Sequence, residues 1–215
     1  YWDLLKTWAD YLAENGQDPV NQLCTDDFAG HWAHNANLSA KAIMGVAAYG
    51  ILCKLDGRAQ DAEKYLATAK KMAEQWKKDA ADGDHYRLAF DRPDTWSQKY
   101  NLVWDKLWGL NMFDDVMEKE INYYLKKQNV YGLPLDCRKG YTKSDWILWT
   151  ACMAKDNETF KKFVSPVYKF YSETTSRVPM SDWFETEKPV WVSFRASSVI
   201  GGFWFKVLMD KNDNK

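Results

Sequence analysis

Histidine, proline and cysteine are scarce in this chain, neither sign of charge is in excess, and long apolar runs are missing. Its 215 residues hold three His, six Pro and four Cys. Cys24, Cys53, Cys137 and Cys152 stand far apart with no C-x-x-C, which argues against a disulfide scaffold or a zinc ribbon. Lys and Arg total 29 against 30 Asp and Glu, a net charge of -1, so no nucleic-acid partner is expected. No apolar stretch approaches the ~20 residues needed to cross a bilayer, and no signal-like apolar segment opens the chain, so no membrane span is expected. A G-x-S-x-G elbow, a Walker loop and a dinucleotide-binding glycine pattern are all absent, and no cofactor is expected.

What the chain does have is aromatic side chains: 12 Trp, 12 Tyr and 10 Phe. That density argues against disorder and for a large core or a site lined by flat faces. The length suits one domain over 1–215, large enough to fold without staples. Tyr1-Trp2 already reads as helix with no initiator Met. The chain is therefore expected to be a piece of a longer polypeptide, with the rest of that polypeptide as its partner.

Hydrophobic periodicity gives helices almost throughout, over about 1–15, 37–55, 58–81, 95–111, 114–128, 143–154, 157–173 and 193–210. In the first, Leu4, Leu5, Trp8 and Leu12 form one stripe; in the third, Ala62, Tyr65, Leu66, Ala69, Met72, Ala73 and Trp76 do so. No convincing strand pattern appears; 188–194 comes nearest and is interrupted by Pro189. The expected class is all-α. Connections alternate strictly between short and long, which in an up-and-down array puts every long loop at one end. The helices at 37–55, 143–154 and 193–210 are apolar nearly all round and expected to be buried, whereas 58–81, 114–128 and 157–173 carry Lys/Glu-rich outer faces. An α/α-toroid of the six-hairpin type, of which this chain supplies about four helical hairpins, meets these conditions. A solenoid has similar hairpins, but no fixed repeat is visible; a plain bundle does not require four long loops at one end. An incomplete ring is expected to leave an apolar edge near the first or last helix.

The long loops and the helix starts that follow them hold the chemistry. All three histidines lie there, with His31 and His34 in the first loop beside Asp27. Asn35, Asn101, Trp104, Asp105, Asp136, Arg138, Asp145, Trp146, Asp182, Trp183 and Arg195 lie in or just after the four loops. Helix N-termini favour an anion, each by about 0.3–1 kcal/mol. A ligand carboxylate held by Arg138 or Arg195 is therefore the expectation, its ammonium facing Asp136, Asp145 or Asp182, with Trp104, Trp146 and Trp183 excluding water. Asn35 and Asn101 are further candidates to bind substrate. Asp27 and Asp105 are the candidate acid/base pair, with His31 or His34 as proton carrier. The competing reading is that single carboxylates here are helix caps. His31-x-x-His34 has a spacing a metal could use, but hydrogen-bonded loop histidines are the commoner outcome, and no metal is expected. Paired carboxylates beside Trp platforms also suit a sugar hydrolase using two of Asp27, Asp105, Asp145 and Asp182. Thr25, Ser97, Thr142, Ser144 and Ser197 read as caps or core hydroxyls rather than nucleophiles.

At these residues the sequence resembles the glutaminase A family of fungi and Bacteroidetes, specifically its C-terminal six-helical-hairpin domain. The matching stretches are NQLCTDDFAGHWAHNANLSAKAI (21–43), DHYRLAFDRPDTWSQKYNLVWDKLWGLNMF (84–113), YYLKKQNVYGLPLDCRKGYTKSDWILWTA (123–151), and RVPMSDWFET with SFRASSVIGGFW (177–204). The resemblance implies a toroid related in fold to α/α glycosidases. It also implies hydrolysis of L-glutamine to glutamate and ammonia, a small-molecule substrate, and a secreted or periplasmic location. Carbohydrate hydrolysis, or a non-catalytic carbohydrate-binding or structural role, is the alternative.

Overall fold

A computed structural model describes residues 1–20 and 29–213. The chain is mostly helical: α1 (Trp2–Asn15), α2 (Ala36–Leu55), α3 (Ala59–Ala80), α4 (Val103–Trp108), α5 (Asp114–Leu125), α6 (Ser144–Cys152), α7 (Asn157–Glu173) and α8 (Phe205–Asp213). Asn35 caps α2, its Oδ1 accepting from the Leu38 N–H at 2.8 Å, and Asp156 caps α7 through the Thr159 N–H at 2.7 Å. In α3 the spacing i, i+3, i+4 puts Tyr65, Ala69, Met72, Ala73 and Trp76 into the core, and the Trp76 indole N–H donates to Ala36 O at 2.8 Å. By length and composition α2 could cross a membrane, yet it packs between α1 and α3 and most of its residues are buried.

Two expected helices are shorter than their apolar spacing suggests. Over 95–111 only Tyr100–Leu102 (3₁₀) and α4 are helical, because Ser97 and Gln98 pair with the next loop instead. Over 193–210 a 3₁₀ segment, Ser198–Trp204, carrying the Gly201-Gly202 pair, precedes α8. The all-α class holds, but the helices carry two small antiparallel sheets that no strand pattern in the sequence announced. β1 (Ala81–Asp82) pairs with β2 (His85–Tyr86), and β3 (Tyr141–Lys143), β4 (Trp183–Glu185) and β5 (Trp191–Ser193) form a three-stranded sheet. Strands of two or three residues are too short to show alternation.

The four long connections meet at one end. Ala36 N donates to Leu88 O, joining the first to the second; Gln98 N donates to Leu135 O and Cys137 N to Trp96 O, joining the second to the third. β3 and β4 join the third to the fourth. A buried charge pair anchors this end: Lys99 Nζ lies 3.1 Å from Glu120 Oε2, both fully buried, and donates to Tyr86 O at 2.6 Å. Gln98 extends the knot, its amide donating to Leu133 O and Pro134 O while its oxygen accepts from Thr150.

Beneath the loops, α2, the Tyr100–Leu102 turn with α4, α6, and the 3₁₀ segment with α8 contact one another in chain order, and α3 and α7 pack outside α2 and α6. Burial departs from expectation at the two ends. On α1 the inward line runs through Leu5, Ala9 and Leu12, while Leu4, Trp8 and Tyr11 are exposed. The last helix is not buried all round: Phe205 and Met209 are buried, but Trp204, Val207 and Leu208 are open.

Candidate functional site

A groove of about 1050 Å³ lies along this row of helices. One wall is aromatic, with Tyr100, Trp104, Trp108, Trp146 and Trp149; the other is α2, the end of α1 and the segment that follows it, which bring Lys41, Glu14 and Asp18 to the groove. Tyr100 and Trp146 are stacked, with ring centres 4.4 Å apart and planes 9° apart, so the first turns of two successive helices are locked together. Trp104 meets Trp149 edge-on at 5.3 Å. Asn101 adds the polar element of this wall; its side-chain amide donates to Asn37 Oδ1 at 3.2 Å and ties the turn to α2.

Beside Trp146 sits a buried charged cluster. Lys143, the last residue of β3, makes a close ion pair with Asp182 and lies 4.0 Å from Asp145 Oδ1. Its Nζ is 5.7 Å from both the Trp146 ring on one side and the Phe194 ring on the other. Lys143, Asp145 and Asp182 are 3%, 5% and 0% exposed. Burial pushes the Asp145 carboxyl up to about 6 and works against the charge on Lys143, lowering its pKa. The 3₁₀ segment covers the cluster. Gly202 sits so close that a Cβ there would stand 3.0 Å from Asp145 Cβ and 3.1 Å from Trp149 Nε1. Ahead of that segment, Phe194 and Ala196 hold left-handed conformations, with φ of 38° and 56°, costly for residues other than glycine.

The residues expected to act together are thus divided among several places. Asn101, Trp104 and Trp146 line the groove; Asp145, Asp182 and Trp183 gather at β3, β4 and the start of α6. His34 stands at the groove's edge, its Nδ1 2.8 Å from Asp18 Oδ1, while His31 is exposed. Asp27 lies outside the described residues. Asp105 is fully buried and does not line the groove; it accepts from the Met112 and Phe113 N–H groups at 3.0–3.1 Å and thereby holds the turn that leads into α5. Burial raises its pKa and those backbone donors oppose the rise. Asn35 serves as the α2 cap. Arg138 pairs with Asp136 at 2.5 Å and donates to Gly30 O at 2.8 Å, so both residues fasten loop to loop. Arg195 is exposed, its guanidinium 3.9 Å above the Trp191 ring. Among the described residues no three His, Cys, Asp or Glu side chains gather as a metal would need.

Lys143 was not singled out in the sequence. Its signal was the run Lys143-Ser144-Asp145 directly before an apolar helix free of further charge through Ala154.

Helices joined by alternating short turns and long loops, the loops meeting at one end beside an aromatic groove, define a helical-hairpin protein. The family model for the glutaminase A six helical-hairpin domain matches residues 1–207, and the chain belongs to that family. It is 31% identical to glutaminase A of Aspergillus oryzae over 210 residues, which cover 94% of this chain and 30% of that protein. A probable glutaminase of Arthroderma benhamiae is 29% identical over 245 residues, covering 98% of this chain and 28% of the relative. The chain spans less than a third of the length of these curated relatives.

Proposed function

We propose that this chain is part of a hydrolase that converts L-glutamine to L-glutamate and ammonia without an organic cofactor, binding its substrate in the aromatic groove. In this reading α2, α4, α6 and α8 are inner helices of an α/α-toroid, further hairpins come from the parent polypeptide, and the protein works in a secreted or periplasmic setting. Amide hydrolysis requires a base for water, donors for the developing oxyanion and an acid for the departing nitrogen. The observation that carries the reading is the juxtaposition of Asn101, Trp146 and Trp149 on the groove wall with the buried carboxyl of Asp145 at the start of the same helix. The names of the two relatives support the same substrate. His34, held by Asp18 at the groove's edge, is the proton carrier of this scheme. Asp105, whose carboxylate is occupied with the Met112 and Phe113 amides, has no part in it.

Carbohydrate is the second reading, favoured by one observation: four tryptophans, Trp104, Trp108, Trp146 and Trp149, face one groove. The full natural polypeptide separates the two. Ammonia release from L-glutamine is expected, with no reducing ends released from oligosaccharides; the opposite pattern replaces the amidase reading, and neither product leaves a binding or structural domain.

A further inference from the structure

Lys143, Asp145 and Asp182 place two carboxylates and one ammonium in a volume closed to solvent. With every group ionised the cluster would carry one uncompensated negative charge, which a buried site tolerates poorly. Asp182 takes the close ion pair with Lys143, and its oxygens have no other hydrogen-bond partner among the described residues. Asp145 is left with the ammonium 4.0 Å away and no hydrogen-bond partner on Oδ1. One turn further along α6 and on the same face, the Trp149 indole N–H also lacks a partner among the described residues. Gly202 packs over both residues: a Cβ there would stand 3.0 Å from Asp145 Cβ and 3.1 Å from Trp149 Nε1. Trp149 also lines the groove.

A primary carboxamide is the chemical complement of such a pair: its N–H₂ donates and its C=O accepts. We propose that Asp145 is the proton-transferring residue of the site, with the Trp149 N–H as donor to the substrate carboxamide oxygen and Lys143–Asp182 as the positioning pair that holds Asp145 in place. The proposal rests on the glutamine reading and adds residue roles to it. As the oxygen of a water molecule bonds to the carboxamide carbon, one of its protons passes to Asp145. As the C–N bond breaks, that proton passes to the departing nitrogen, which leaves as ammonia, and the acyl carbon keeps the hydroxyl as a carboxylic acid.

The groups facing Asp145 from other elements fit this role. Lys143 comes from β3, and Asp182 precedes β4. From α7 comes Tyr171, pushed up to about 12 by burial and donating to Ser181 O at 2.7 Å, hence neutral throughout the working range. The covering 3₁₀ segment brings no charge to the contact, since Gly202 makes it. Asp145, raised to about 6, is placed to change protonation near neutrality, and the same burial lowers the pKa of Lys143 beside it.

The test uses the full natural polypeptide in wild-type, Asp145→Asn, Asp145→Glu, Asp182→Asn and Trp149→Phe forms. Ammonia release from L-glutamine should fall by about a hundredfold or more in kcat for Asp145→Asn, with KM within about threefold and partial recovery in Asp145→Glu. The acidic limb of the wild-type pH profile should vanish from the residual activity. In pH-difference infrared spectra a protonated carboxyl band present below neutrality should be missing from Asp145→Asn and persist in Asp182→Asn. Unchanged kcat and pH profile in Asp145→Asn, or persistence of the band, overturns the proposal while leaving the glutamine reading intact. Wild-type protein that releases no ammonia overturns the glutamine reading instead; the infrared band then decides by itself whether Asp145 holds the proton.

Discussion

The guanidinium of Arg138 lies 4.8 Å from the centre of the Trp32 ring, joining the first long loop to the third across more than a hundred residues of sequence. Arg92 covers the same indole at 4.1 Å, so Trp32 has a cation from each of two further loops. This is a fastening, made of cation–π contact, the Arg138–Asp136 pair and a bond to the Gly30 carbonyl.

Arg138→Met should therefore act on stability. Breaking a buried pair leaves Asp136, 2% exposed, without its counter-charge, at a cost of about 3–5 kcal/mol. For a domain of this size that corresponds to a fall in Tm of roughly 6–20 °C. Any activity should decline alike on every substrate. Arg195→Met, at an exposed site, should leave Tm within about 2 °C. Thermal melts of the two variants side by side check both statements; a stable Arg138→Met protein with selectively weakened substrate binding would return Arg138 to the role of ligand clamp.

Lys99 and Glu120 make the second stability prediction. Both side chains are fully buried, and the pair ties the connection after α3 to α5. Lys99→Met or Glu120→Leu alone should destabilise by about 3–5 kcal/mol, because each strands a buried charge. The double variant should be markedly less unstable than the sum of the two singles, a coupling readable from a denaturant double-mutant cycle. Additive losses would show that the charges do not depend on each other.

How far these features were legible from the sequence depends on what kind of signal each one leaves. Helices α2, α3 and α7 announce themselves through apolar spacing and caps such as Asn35 and Asp156. Alternation of short and long connections gave the common end for the loops. The roles of single charges were less visible. Asp105 reads like any loop-proximal carboxylate until the Met112 and Phe113 amides close on it, and a lysine such as Lys143 is ordinarily a surface residue. The partners of Asp105 lie only seven and eight residues on, but the turn that brings them back leaves no pattern; Lys143 meets Asp182 only because β3 pairs with β4, and neither strand is long enough to be seen by alternation.

The third prediction concerns pH. Burial raises the Asp145 carboxyl from an ordinary 3.8 to about 6. Between these values the folded protein holds a proton that the unfolded chain has released. Stability contributed by Asp145 is then fully present below about pH 4 and is lost as pH rises to about 6, with no further change above. The total is about 3 kcal/mol by the linkage relation. Denaturant titrations from pH 4 to pH 7 on wild type and Asp145→Asn should differ by this slope, which the Asn variant lacks. Parallel curves would mean that Asp145 is ionised in the folded protein over the whole range.

Apolar exposure at the two ends of the helix row leads to the last prediction. On α1, Leu4, Trp8 and Tyr11 are 45%, 56% and 57% exposed; Trp204, beside α8, and Val207 and Leu208 within it are 72%, 46% and 49% exposed. Side chains of this size set close together form the kind of patch that monomeric proteins rarely leave open. Burying such surface is favourable by about 25 cal/mol for each Å² removed from water. The isolated 215-residue chain should consequently self-associate at micromolar concentration, as read by sedimentation velocity. Trp8→Lys with Trp204→Lys should return it to the monomer with Tm changed by no more than about 2 °C, because neither ring belongs to the core. A wild-type chain that sediments as a monomer at every concentration would show that these faces are tolerated in water, and a double variant that unfolds would show that the two rings support the fold itself.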